Sequence, residues 1–196
     1  MNGKYLVFAS ICQALADNEI KKAKNILEKE YPFQPIQQRK RLFTEQKATI
    51  IFMRDGFIDR YSGEKLVFPP VLHLISEIMP DVFPYHTNWK ISECHIAYYY
   101  LYTTIDHIVL ITRGVNNEDN NLVTTSMLKN SAKSNWLLEE LGWQLHPSGK
   151  LEEWDGLTRW FRYYLKDNPE YLNLPYISKW HKALMQVLEE NSKGKE

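Results

Sequence analysis

The sequence predicts an α+β protein in which helical segments flank a small centre of strands and one helix. Apolar residues recur at helical spacing near both ends of the chain, while residues 105–133 between them read strand, loop, strand, helix. Of the 196 residues, 44% are apolar and 24% charged, a globular balance that excludes wholesale disorder and collagen-like repeats.

From the N-terminus, Leu6, Ile11, Leu15, Ile20, Ala23, Ile26 and Leu27 predict two short helices within residues 4–30. Asp17 is the expected N-cap of the second, and Pro32 with Pro35 its stop. Arg39, Lys40 and Arg41 form a cationic cluster ahead of an apolar segment at 48–53. Turn signals at Arg54-Asp55-Gly56 and Ser62-Gly63-Glu64 bracket residues 57–61. Pro69-Pro70 opens a helix over 71–79 that Pro80 ends. Residues 81–90 read as a loop, and Ser92 as the cap of a segment through Tyr102 whose tyrosines also suit a strand. Residues 105–111 are apolar apart from Asp106 and His107, as in a buried strand. A polar turn over 112–120 leads to a short strand at Asn121-Leu122-Val123 and a helix over 126–133. Beyond it, Leu137, Leu138, Leu141, Leu157, Trp160, Phe161, Tyr164 and Leu165 predict amphipathic helices.

No run approaches the ~18 apolar residues of a membrane span, so no membrane partner is expected. Cys12 and Cys94 are too few for a disulfide framework, and the N-terminal stretch lacks a small-residue cleavage signature; a cytoplasmic protein is the simplest reading. Cys94-His95 with His73 and His86 match no compact ligand spacing and read as structural residues.

Chemistry concentrates at Asp106-His107. An ionisable pair in an apolar strand is costly unless a metal or a hydrogen-bond network compensates it. A hairpin folded back onto the following helix would bring Asp106 to Asn130, and these two oxygen donors suit a hard cation such as Mg²⁺ with positions left for water and phosphate. His107 beside it can act as general base on a water, because imidazole titrates near neutral pH. Neighbouring strand residues face opposite ways, so the strand must twist or end near this pair.

Thr104-Ile105-Asp106-His107-Ile108-Val109, Arg113-Gly114, Asn121-Leu122-Val123 and Lys129-Asn130 through Lys133 resemble the HNH nuclease motif, and Arg54-Asp55-Gly56-Phe57 with Tyr61-Ser62-Gly63 resemble the family's approach to it. The resemblance covers roughly residues 54–133, with a non-standard insert at about 67–100. It implies a ββα-metal finger spanning 51–141, between an N-terminal helical arm (1–50) and a C-terminal helical segment (142–196). It also implies a DNA endonuclease, with double-stranded DNA as partner and 5′-phosphate ends as product. Asp106 and Asn130 would hold one divalent ion, Mg²⁺ or else Mn²⁺. His107 would be the base, Asn121 the brace of its loop, and Lys133 a residue near the phosphate. Arg113, Arg39, Lys40 and Arg41 are candidate nucleic-acid contacts, and Glu93 and His95 candidate cleft residues. A homodimer is compatible with this reading, and so is a non-catalytic DNA-binding or protein-interaction module built on the same finger.

Many family members clamp the finger with a structural zinc on two CxxC pairs. Asp59, Ser62, Ser126 and Lys129 stand at those positions, so no structural zinc is expected. A charge-assisted contact between Asp59 and Lys129, flanked by Ser62 and Ser126, is the expected replacement clamp. The zero net charge is an average: residues 1–65 hold 12 Lys+Arg against 8 Asp+Glu, and the remainder 12 against 16. The basic excess points to the N-terminal arm as the strand-contacting surface, with modest, salt-sensitive affinity.

Overall fold

The computed structural model describes residues 4–33, 43–109 and 119–193. The chain divides into two compact units, 1–39 and 40–196. The first division thus falls inside the arm drawn over 1–50, and residues 142–196 share a unit with the central segment.

The first unit is a helical hairpin of α1 (Lys4–Ala16) and α2 (Ile20–Glu30). Ala14 and Ala23 are its buried residues, small enough to let two helices approach closely. Asn18 turns the chain with φ +58°, a conformation asparagine tolerates. The residue before α2 is Glu19, with no side-chain cap, and Asp17 instead accepts from the Gln13 amide. The expected Asp17 cap therefore does not form, because the turn places Asp17 two residues ahead of the cap position.

In the second unit, α3 (Glu45–Arg54) starts at Thr44, whose hydroxyl accepts from Lys47 N at 3.2 Å. Pro69 and Pro70 form the first turn of α4 (Pro69–Ile78), where their missing N–H groups cost nothing. Only Ala97–Leu101 of the tyrosine-rich segment is helical (α5). Strands β1 (Thr103–His107) and β2 (Leu122–Ser126) pair antiparallel, with Thr103 opposite Ser126 and His107 opposite Leu122. β1 begins two residues earlier than expected and ends at His107. β2 runs straight into α6 (Met127–Lys133), whose N-cap Ser126 accepts from Lys129 N at 3.1 Å. The order strand, strand, helix is thus present as the sequence predicts.

Three further helices, α7 (Leu138–Leu141), α8 (Thr158–Asp167) and α9 (Pro175–Lys193), complete the unit. Phe68 is the centre of the core, meeting Phe57, Phe161 and Trp180 edge-on at centroid separations of 5.9, 5.7 and 5.4 Å. Trp180 of α9 also stacks on Phe52 of α3. The C-terminal helices therefore pack on α3 and on the Phe68 core. Among the described residues, no helix is long and apolar enough to cross a membrane.

Candidate functional site

The site lies where β1 ends. Asp106 and His107 are 1% and 0% exposed, so both meet protein rather than bulk water. Their side chains have different neighbours. One oxygen of Asp106, Oδ2, accepts from the Tyr61 hydroxyl at 2.9 Å and lies 2.8 Å from the Lys133 ammonium. The His107 ring instead faces Phe43, with centroids 5.9 Å apart. This is the alternation of an extended strand.

Lys133 ends α6 and is fully buried. Its ammonium also donates to the His107 carbonyl at 2.7 Å and sits over the Tyr61 ring at 5.7 Å. The sequence reading put it near a phosphate; the structure turns it inward, onto the acidic member of the pair and the backbone of its neighbour. Burial, then the charge of Asp106, holds the Tyr61 phenol well above its usual range, so it stays a donor.

Asn121 forms a two-point bridge to Val109: its Oδ1 accepts from Val109 N at 2.9 Å and its Nδ2 donates to Val109 O at 2.8 Å. A side-chain amide paired this way fixes the exit of β1 to the entry of β2. Asn130 lies on α6 and donates through Nδ2 to Thr104 Oγ1 (3.1 Å) and Ile105 O (3.2 Å). It is therefore tied to β1, with Oδ1 as its remaining polar atom.

Around this centre stands a carboxylate frame that the sequence did not reveal. Asp55, at 1% exposure, accepts from Arg54, Arg60 and Thr124 N. Arg54 also donates to the carbonyls of Asp119 (2.7 Å) and Leu122 (2.6 Å), tying the return of the loop to the end of α3. Asp55, Arg54 and Tyr61 were visible only in a turn signal and in the segments that resemble the approach to the motif. Their partners lie 45 to 69 positions away, beyond the reach of any local periodicity.

The four positions expected to form a clamp have other partners. Asp59 is buried and accepts from Tyr61 N, Thr125 Oγ1 and Ser126 N at 2.9, 3.0 and 3.0 Å. The Lys129 ammonium lies over Trp143 at 5.0 Å, and among the described residues no Asp59–Lys129 ion pair forms. The expected charge contact is corrected on this point: a buried carboxylate is better served by fixed backbone donors than by a long side chain whose charge can stay hydrated. Asp59, Ser62, Ser126 and Lys129 do line one hollow of about 480 Å³, together with Tyr100 and Leu128.

Glu93 pairs with Lys90 at 2.9 Å, and His95 stacks on Phe83 at 4.4 Å, both among their own neighbours in the insert. Neither is brought to Asp106 by a contact among the described residues. Arg39, Lys40, Arg41 and Arg113 lie outside the described residues. Tyr98 is core, whereas Tyr100 is exposed. Among the described residues, no group of three or more His, Cys, Asp or Glu side chains is assembled as a metal site.

Compared with known proteins, the chain matches no family model, no curated protein and no solved structure.

Proposed function

We propose that the second unit is a DNA endonuclease of the ββα-metal type, hydrolysing phosphodiester bonds with His107 as general base. The observation that carries this reading is the conjunction at one hairpin. Asp106 and His107 end β1, Asn121 ties Val109 to the entry of β2, and Asn130 projects from the helix that β2 leads into. That order and those residue types are what the resemblance to HNH nucleases requires.

The donors fit a hard cation. Asp106 offers a carboxylate, and Asn130 an amide oxygen left over once Nδ2 is spent on β1. Oδ2 of Asp106 is held by Tyr61 and Lys133, which fixes the carboxylate in one orientation. Mg²⁺ so held would supply charge neutralisation at the phosphate and its departing oxygen. The protein's own part is to hold geometry and move a proton. His107 takes the proton of the attacking water, and Asn121 keeps the backbone beyond His107 from drifting. Tyr61 and Lys133 fix the carboxylate.

A rival reading, a DNA-binding or interaction module without turnover, has one observation on its side: the His107 side chain is fully covered. The two part in a plasmid assay. The nuclease reading expects nicking in Mg²⁺ or Mn²⁺, its loss with EDTA, and 5′-phosphate ends. Retention of DNA in a gel shift without any metal-dependent cleavage would favour the module.

A further inference from the structure

The charge of Asp106 is already answered from inside the protein. Lysine is almost never fully buried unless paired, and Lys133 is buried completely. Its ammonium lies 2.8 Å from Asp106 Oδ2 and donates to His107 O at 2.7 Å, while the Tyr61 hydroxyl donates to the same carboxylate oxygen at 2.9 Å. The Tyr61 ring face closes the third side. Nothing here resembles a flexible surface lysine reaching for phosphate. A cation arriving at Asp106 meets a carboxylate that is locked in place and partly neutralised, with a fixed positive charge beside it.

We infer that Lys133 is the built-in counter-charge of this site and sets how strongly Asp106 takes a divalent cation. It is a positioning residue: it keeps the carboxylate and the His107 backbone in place without metal, and it weakens the pull of the site on free Mg²⁺. Tight cation binding then requires further negative charge, which the phosphodiester substrate brings. Metal and nucleic acid thus bind cooperatively, and the site stays largely unloaded until DNA is present. The inference rests on the nuclease reading above.

Its test is direct Mn²⁺ binding to the full chain, followed through the electron paramagnetic resonance of free Mn²⁺, with no turnover required. Lys133→Gln removes the charge but keeps a donor for Asp106 and His107. A unit charge within about 5 Å of a divalent ion weighs roughly tenfold in affinity even at the dielectric of water, so this variant should bind Mn²⁺ on the order of tenfold tighter or more. Tyr61→Phe, which alters no charge, should change the affinity less. Adding a non-cleavable oligonucleotide should tighten Mn²⁺ binding in the wild type more than in Lys133→Gln. Equal or weaker binding by Lys133→Gln overturns the counter-charge role while leaving the nuclease reading intact. Absence of Mn²⁺ binding in every form, with and without DNA, overturns both. A wild-type measurement covers the case in which the variant does not fold. The buried ammonium protons of Lys133, recognised by their proximity to the Tyr61 ring, should shift saturably on Mg²⁺ titration in the presence of DNA. Resonances unmoved at saturation overturn the inference.

Discussion

Asp59 offers the sharpest test of how the β1–β2–α6 segment is held to the chain before it. Its carboxylate is 1% exposed and accepts from two backbone N–H groups and the Thr125 hydroxyl, all within 3.0 Å. Asp59→Ala leaves the N–H groups of Tyr61 and Ser126 buried without an acceptor. Each such group costs about 1–3 kcal/mol, and bonds to a charged acceptor lie at the upper end. The expected loss is therefore about 3–5 kcal/mol, a large share of the ~5–15 kcal/mol that stabilises a typical domain. With a urea m-value of about 2 kcal/mol/M, the unfolding midpoint should fall by roughly 1.5–2.5 M at unchanged m. Asp59→Asn keeps one acceptor oxygen and should lose about half as much. A midpoint shift under about 0.5 M for Asp59→Ala, or an asparagine variant worse than alanine, would refute this role.

Gly56 has φ +62°, and a Cβ there would lie 2.4 Å from the carbonyl carbon of Gly149, so Gly56→Ala should cost more than about 2 kcal/mol; an unchanged Tm would contradict this. Asn121→Ala removes both bonds to Val109 and should strip the Val109 amide of hydrogen-exchange protection, at a stability cost of only about 1–2 kcal/mol; unaltered exchange would show that the brace lies elsewhere. Burial lowers the His73 imidazole to about 4, while in the unfolded chain it titrates near its ordinary value of about 6.5. Between these values the unfolded chain binds the extra proton, so this contribution to stability is complete above about pH 6.5 and is lost as the pH falls toward 4. His73→Phe should therefore gain on the wild type by up to roughly 3 kcal/mol across that window in pH-dependent urea unfolding, and parallel curves would contradict the assignment.

Local pattern carried the elements far better than the contacts between them. Ser126 was recognisable as a helix start because capping is a short-range matter, and the β1–β2–α6 order followed from apolar runs broken by one polar turn. Lys133 was expected near a phosphate from the resemblance alone; its contact with Asp106 comes from tertiary packing, which the end of a helix does not display in sequence. Asp59 was expected to pair with Lys129, yet its partners are the Thr125 hydroxyl and two backbone N–H groups, and backbone donors are not displayed by sequence. The N-terminal hairpin was legible from spacing alone, whereas its turn, made by Asn18 in a left-handed conformation, was not. The contacts that Tyr61, Arg54, Asp55 and Arg60 make across the unit were not legible because each of them reaches a distant segment.

The central claim is that Asp106, His107 and Asn130 form a hydrolytic centre, and nicking of supercoiled plasmid in Mg²⁺ under single-turnover conditions tests it most directly. Wild type should nick. His107→Ala, with an unchanged circular-dichroism spectrum, should be slower by about 10²–10⁴-fold, the usual loss on removing a general base. Equal rates for the two proteins, or no cleavage by the wild type with any divalent ion, would contradict the account.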